Sequence, residues 1–282
     1  MKVLIGITSK NRASILPKAI NSALEQDYVN KVVAVYDDAS TDGTAQLESE
    51  FPDVKWIISG TAKGLMFARN LFLDISDADF FCSLDDDAWF LSKDTLSIAI
   101  DYMKKNPNTA AIAFDILSPD DVSKEKKHAI EAVETNQYIG CGHLLRIPVI
   151  KQIGRYLESP GFYGGEEKDL CIRLINAGYS ITKLKGLYVW HDKTTIARNL
   201  IKQHQSGVCN DLVFTYRRTP TVLLLPSFFV KMYKHLNFSI TNGLLLACLK
   251  GFADFFAALF KLKMKHQPVS ISSFKRYLKF NK

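Results

Sequence analysis

One feature constrains this chain more than any other. Short apolar runs alternate with amphipathic segments, and each early apolar run stops at a polar cluster. Residues 2–8, KVLIGIT, predict a buried strand. Residues 14–26 place Ile15, Leu16, Ala19, Ile20, Ala23 and Leu24 on one helical stripe. Residues 31–36, KVVAVY, are β-branched and predict the next strand. Asp37 to Thr44, DDASTDGT, follows at once and supplies the Asp, Ser and Thr that cap helix starts, so a helix is expected to open there. Residues 54–58 predict a third strand, 65–75 a helix, and 79–84, DFFCSL, a fourth strand running into Asp85-Asp86-Asp87. Strands that alternate with helices require crossovers, and the result is a parallel-rich α/β sheet. Ligands of such sheets sit beyond the carboxyl ends of the strands. Thr8 to Arg12, Asp37 to Thr44 and Asp85 to Asp87 all fall there.

Further on the pattern loosens. Residues 110–114 predict a strand, 118–136 a loop or exposed helix, and 138–145 a glycine turn. Residues 161–176 carry two glycines, an acidic cluster and an amphipathic helix that Gly178 terminates as a C-terminal cap. Residues 180–190 predict a final strand closed by His191. The alternation then ends, giving an expected α/β catalytic domain over 1–195 and a helical extension over 196–282. A chain of 282 residues, 47% hydrophobic and 23% charged, suits one large domain with such an appendage and excludes a disordered or fibrous chain. The five cysteines show no CxxC spacing, so neither a disulfide scaffold nor a structural zinc site is expected. The opening MKVLIGITSKNR is too short in apolar residues for a signal peptide or anchor, which predicts a cytoplasmic protein.

Three consecutive aspartates repel one another unless a cation or hydrogen-bond donors offset them. Hard divalent ions such as Mg²⁺ or Mn²⁺ take oxygen ligands and bridge to phosphates. A solvated loop with capping aspartates is the bland alternative, but the triplet directly follows an apolar strand. Glu166, Glu167 and Asp169 follow Gly164-Gly165 at a helix start, where the helix dipole alone would favour them. His191 is a further candidate ligand. Arg12, Lys63 and Arg69 lie near strand ends, where a cation can face phosphate. GxGxxG, GxxxxGK[ST] and GxSxG are all missing, so dinucleotide dehydrogenases, P-loop NTPases and serine hydrolases lose support.

Five strings in order carry a resemblance: VAVYDDASTDGT (33–44), GLMFARN (64–70), CSLDDDAWF (82–90), FYGGEEKDLCIRLINAGY (162–179) and VWH (189–191). Together with YIGCGHLLR (138–146) they resemble the family-2 glycosyltransferases of bacterial surface-polysaccharide type. The resemblance implies the GT-A fold, a Rossmann-like mixed sheet flanked by helices, with a C-terminal helical extension. It also implies an inverting, metal-dependent transferase using a UDP- or dTDP-sugar and Mn²⁺ or Mg²⁺. Thr8 and Asp38 then match nucleotide-base positions, with Asp37 beside them, and Arg69 a position near the donor diphosphate. Arg12, Lys63, Asp86 and Gly142 join the donor-binding set. Asp85 and Asp87 match the ends of the family's DxD, the last being the usual metal ligand, and His191 matches a histidine facing metal or diphosphate. Glu167 matches the catalytic base, with Glu166 and Asp169 beside it. Glu stands at the base position where Asp is commoner. Ala62 stands where the family often has Asn.

Charge is divided unevenly. Residues 198–282 hold 14 Lys and Arg against only Asp211 and Asp254, a net of +12, while residues 1–197 sum to −5. Residues 244–260, LLLACLKGFADFFAALF, are too short and interrupted to span a bilayer. Lys250 and Asp254, with Lys261 and Lys265, are expected to form a narrow polar stripe on a broad apolar helix. Such a helix suits an anionic membrane surface, which would put the protein on the inner face of the cell membrane. Packing on the catalytic body, or on a second subunit as a homodimer, is the alternative. No nucleic-acid motif is present. Expected acceptors are hydroxyls of a polysaccharide or lipid-linked glycan. The rival readings are a sugar-nucleotide-forming nucleotidyltransferase and a non-catalytic, membrane-associated binding protein of the same fold.

Overall fold

The computed structural model describes residues 1–124, 129–158, 160–161, 164–193 and 199–280. The chain forms two compact units, Met1–Tyr156 with Gly178–Thr194, and Leu157–Ala177 with Thr195–Lys282. The segment that carries Glu166, Glu167 and Asp169 therefore groups with the C-terminal helices. The expected boundary at 195–196 lies outside the described residues, as do Phe162 and Tyr163 of the fourth string.

The first unit is built on a nine-stranded mixed sheet. In chain order its strands are β1 (Val3–Ser9), β2 (Lys31–Asp37), β3 (Lys55–Ile58), β4 (Phe80–Asp85), β5 (Ala88–Phe90), β6 (Thr109–Leu117), β7 (Glu131–Thr135), β8 (Gly142–Arg146) and β9 (Ser180–His191). Their spatial order is β3-β2-β1-β4-β8-β6-β9-β5, with β7 on β9. Strands β3, β2, β1 and β4 are parallel, and β8 runs antiparallel to both β4 and β6. The apolar runs of β1, β2 and β4 are buried on both faces, as parallel strands covered by helices must be. Helices α1 (Leu16–Leu24), α2 (Leu65–Ile75), α3 (Thr95–Lys105) and α4 (Ile147–Ile153) belong to this unit. The stripe of α1 buries Leu16, Ala19, Ile20 and Ala23 in the main core with Val3, Ile5, Ile7, Phe80 and Leu84.

Two local expectations fail. The segment after Asp37 forms only a 3₁₀ turn over Thr44–Ser49, entered through Gly43 at φ 94°. The Asp and Thr side chains there serve the loop itself: Asp42 accepts from the Thr44 backbone and hydroxyl, competing with a regular helix. Residues 118–136 were expected as loop or helix, yet they include a 3₁₀ turn at Pro119–Lys124 and the edge strand β7, whose exposed pattern hides it from hydropathy. Residues 125–128 lie outside the described residues.

The second unit is helical: α5 (Glu166–Asn176), α6 (Leu200–Arg218), α7 (Thr221–Thr241), α8 (Leu245–Lys261) and α9 (Ile271–Lys279). Its core joins Val208, Cys209, Leu212 and Val213 of α6 to Cys248, Phe252, Phe255 and Ala258 of α8. The apolar residues of α8 are thus divided between two surfaces. One is buried, while Leu246, Leu249, Phe256 and Phe260 are exposed. Asp254 accepts from Gln205 at 2.6 Å, and Lys265 lies beyond the helix end, so the stripe expected of Lys250, Asp254, Lys261 and Lys265 is not continuous. On α7, Val222, Leu225, Phe229 and Tyr233 are each 68–73% exposed. Among the described residues, no helix is long and apolar enough to cross a membrane.

Candidate active site

The parallel strands bring three sequence-distant clusters to one edge. Strand register pairs Ser9 with Asp37 and Thr8 with Asp85, so Thr8, Asp37 and Asp85 end neighbouring strands. The loops that follow lace together. Asn11 N donates to Ser40 Oγ at 2.8 Å, and Thr41 N donates to Asn11 Oδ1 at 2.8 Å. Arg12 N donates to Thr44 Oγ1 at 3.1 Å, and Ala13 N to Asp42 Oδ2 at 3.1 Å. Asn11 and Ala39 both adopt positive φ in these loops, which marks two sharp reversals at the strand ends.

The two aspartates after β2 divide their work. Asp38 is buried, and its carboxylate accepts from Lys63 N at 2.6 Å and Gly64 N at 3.1 Å, so it clamps the turn before α2. Asp37 is 1% exposed. Its Oδ1 accepts from Ser40 N at 3.1 Å, and its Oδ2 is buried with no protein partner. A buried carboxylate oxygen left unmatched costs free energy unless a ligand donor meets it. The Lys63 side chain is exposed.

The aspartate triplet sits at the end of β4. Asp85 is half-buried and takes Arg69 Nη2 at 3.3 Å. Arg69 is itself buried at 1% exposure and also donates to the Gly140 carbonyl at 2.9 Å. It thus ties the triplet to the loop before β8 from within the core. Asp86 has Arg12 Nε at 3.9 Å and accepts from Lys10 N at 3.4 Å. Burial, and then the charge of Asp87, push its carboxyl up to about 7. Asp87 is 4% exposed, and its Oδ1 lies 3.3 Å from His191 Nε2. That contact spans about a hundred residues because β5 pairs antiparallel with β9, setting Ala88 opposite His191, while Asp192 N donates to the Asp87 carbonyl at 2.9 Å.

Two neighbours escaped the sequence reading. Among the described residues, an Asp85 oxygen, Cys141 Sγ and a His191 ring nitrogen all lie within 4.8 Å of one another. Burial pushes the Cys141 thiol up from its ordinary value. A single cysteine inside YIGCGHLLR has no partner spacing to signal it. Below it, His143 is fully buried between Tyr156 OH at 2.8 Å and the Ile139 carbonyl at 3.2 Å, and stacks on Tyr138. Burial, helped by the charge of Arg69, holds its pKa well below the usual histidine value, so it is a neutral packing residue. Gly142 is buried as well. A Cβ there would come within 2.9 Å of Ile116 Cδ1 and 3.2 Å of Val189, so β8 needs glycine at this close approach.

The second acidic cluster belongs to the helical unit. Gly164 and Gly165 take φ of +86° and +101°, a double reversal that L side chains resist, and α5 starts at once. Asn210 of α6 holds the loop, accepting from Gly161 N at 2.8 Å and donating to the Gly164 carbonyl at 2.7 Å. Asp169 is not offered to solvent. Its two oxygens take Arg218 Nε at 2.6 Å and Arg173 Nε at 2.7 Å. Glu166 is buried and Glu167 half-buried, both in the first turn.

The sheet order, the acidic strand ends and the laced loops define a GT-A nucleotide-sugar transferase fold. The model of the family "Glycosyl transferase family 2" matches residues 4–157. The chain belongs to that family. A relative from Escherichia coli, UDP-Glc:alpha-D-GlcNAc-diphosphoundecaprenol beta-1,3-glucosyltransferase WfgD, is 36% identical over 107 residues. That match covers 37% of this chain and 42% of the relative. Among solved structures, residues 1–349 of S. aureus TarS in complex with UDP-GlcNAc align with TM-score 0.65 and 18% identity, over 92% of this chain and 81% of that one. The mannosyltransferase PcManGT from Pyrobaculum calidifontis, in complex with GDP-Man and Mn²⁺, aligns with TM-score 0.62 and 16% identity, over 99% of this chain and 79% of that one.

Proposed function

We propose that this chain is an inverting, metal-dependent glycosyltransferase. It moves a sugar from a UDP- or dTDP-sugar to a hydroxyl of a polysaccharide or lipid-linked glycan. The observation that carries this reading is the crowding of Asp85, Asp86 and Asp87 with His191 at the carboxyl edge of the sheet. Carboxylates this close favour an added cation, and a donor diphosphate brings charge that the same cation can meet. The E. coli relative is named for a UDP-sugar donor and an acceptor on diphosphoundecaprenol, and TarS is solved in complex with UDP-GlcNAc, which supports the donor and acceptor classes.

The residue roles follow. The unmatched Asp37 Oδ2 accepts from the nucleotide base beside Thr8, while Asp38 holds the loop that carries Lys63. Asp87, Asp85 and His191 hold the divalent ion, and the oxygen-rich donor set fits Mn²⁺ or Mg²⁺. Bound there, the ion supplies charge neutralisation for the leaving diphosphate. Arg69 fixes Asp85 from below, and Arg12 and Asp86 complete the rim of the donor site. Glu167 takes the proton of the acceptor hydroxyl as that oxygen bonds the anomeric carbon. The bond from this carbon to the diphosphate oxygen breaks, the nucleoside diphosphate leaves with the electron pair, and a single displacement inverts the centre. Asp169 braces the helix that carries Glu167.

The exposed apolar faces of α7 and α8, within a segment of net charge +12, support a second part of the reading. The helical unit holds the protein on an anionic membrane surface, where lipid-linked acceptors are found.

The test is release of nucleoside diphosphate from a panel of nucleotide sugars, with and without EDTA and an added lipid-linked acceptor. Metal-dependent release from a UDP- or dTDP-sugar, raised by acceptor, is expected. Release unaffected by EDTA removes the metal. Formation of a sugar nucleotide from a sugar phosphate would instead make the chain a nucleotidyltransferase.

A further inference from the structure

We propose that Cys141 is a ligand of the divalent-ion site, making it a mixed oxygen, nitrogen and sulfur centre that ranks softer ions above Mg²⁺. The inference rests on the metal-dependent reading above and adds a ligand that the five motif strings do not supply. An Asp85 oxygen, the Cys141 sulfur and a His191 nitrogen lie within 4.8 Å of one another, so one ion can reach all three with small side-chain adjustment.

The thiol is held in place from both sides. Gly140 before it accepts from Arg69 at 2.9 Å, and Arg69 also pairs with Asp85, so one guanidinium sets both ligands. Gly142 after it is wedged against Ile116 and Val189. Cys141 is 2% exposed and immediately precedes β8, whose register fixes Gly142 opposite Leu84. The other four cysteines are also buried, and no second cluster of this kind occurs among the described residues.

Thiolate favours Zn²⁺, Cd²⁺ and Co²⁺, whereas Mg²⁺ wants oxygen ligands and near-octahedral water. When the ion binds, the thiol proton passes to water. Mn²⁺ should bind more tightly than Mg²⁺, and Zn²⁺ or Cd²⁺ should displace both.

The experiment uses the full chain stripped of metal and titrated with Cd²⁺, followed by ultraviolet thiolate-to-cadmium absorption and by calorimetry. A band that saturates at one ion per chain is expected. Cys141→Ser should abolish it, and Cys82→Ser, in the apolar core, should keep it. If Cd²⁺ or Mn²⁺ binds by calorimetry with no thiolate band, or the band survives Cys141→Ser, the cysteine ligand is wrong while the metal-dependent reading stands. If no divalent ion binds at all, with or without nucleoside diphosphate, both fall. Should Cys141→Ser not fold, X-ray absorption of cobalt-loaded wild-type protein decides. One sulfur at about 2.3 Å in the ion's shell upholds the ligand, and an all-oxygen-and-nitrogen shell overturns it.

Discussion

The acids of the sheet unit and those of the helical unit live under opposite electrostatics. In the helical unit two interior aspartates are outnumbered by cations. Asp169 has Arg173 and Arg218, and Asp211 has Lys168, Lys231 and His235. Burial alone would raise Asp211, but the His235 hydrogen bond and the two lysine charges outweigh it and hold its pKa well below the carboxylate range. At the sheet's carboxyl edge three acids sit side by side, and burial, with the charge of Asp87 added, pushes Asp86 up. Paired acids of the first kind brace helices. Crowded acids of the second kind favour an external cation. The contrast distinguishes acids matched by cations from acids set beside one another, where sequence alone shows two similar acidic clusters.

The largest effects are expected from neutralising the two acids given chemical roles, one in each unit. Asp87→Asn should cut turnover by roughly 10²-fold or more, as expected when an ion's electrostatic help is lost, with the melting temperature unchanged or raised. Glu167→Gln should cost about 10²–10⁴ in rate with donor binding retained. Glu166→Gln proving the inactive variant instead would move the base by one residue. Circular dichroism melts alongside initial rates check both substitutions. Unfolding of Asp87→Asn would mean that the edge acids are braces too.

Arg218→Ala should lower stability by about 3–5 kcal/mol in urea unfolding, because it leaves Asp169 buried with one cation fewer. A change under about 1 kcal/mol would show that Asp169 is not a brace. For Asp211 the sign is set by its depressed pKa. The unfolded chain binds the proton first, so the stability it contributes is complete above the ordinary carboxylate pKa and is lost as pH falls through and below it. Asp211→Asn should therefore be less stable than wild type at neutral pH, with the gap closing in acid. A gap independent of pH would contradict the charge pairing.

The smallest effect concerns the surface. Phe229→Glu with Phe260→Glu replaces two residues that are 68% and 81% exposed, so folding should hardly change. Sedimentation with anionic vesicles should fall, and the binding that remains should be released by salt, since charge attraction is screened and apolar insertion is not. Full-length protein left in the supernatant as a stable dimer would assign these faces to a second subunit.

Periodicity and punctuation were enough for the frame. Apolar runs at 2–8, 31–36, 54–58 and 79–84, each ending in polar residues, predict parallel strands whose ends form one edge, and β1, β2 and β4 are buried on both faces as such strands require. The order of five motif strings carried the family. Tertiary structure alone decided which acids are matched. Asp38 and Asp37 are adjacent in sequence, yet one clamps a turn and the other keeps a buried oxygen unmatched. Asp169 stands beside Glu166 and Glu167 in sequence, and only the fold brings Arg218, forty-nine residues later, onto its carboxylate. Cys141 carried no signal until strand pairing set it beside Asp85 and His191. Local pattern reports burial and turn chemistry, because those depend on neighbours in the chain. Charge matching depends on which distant side chains the sheet and helices bring within a few ångströms, and no local pattern encodes that.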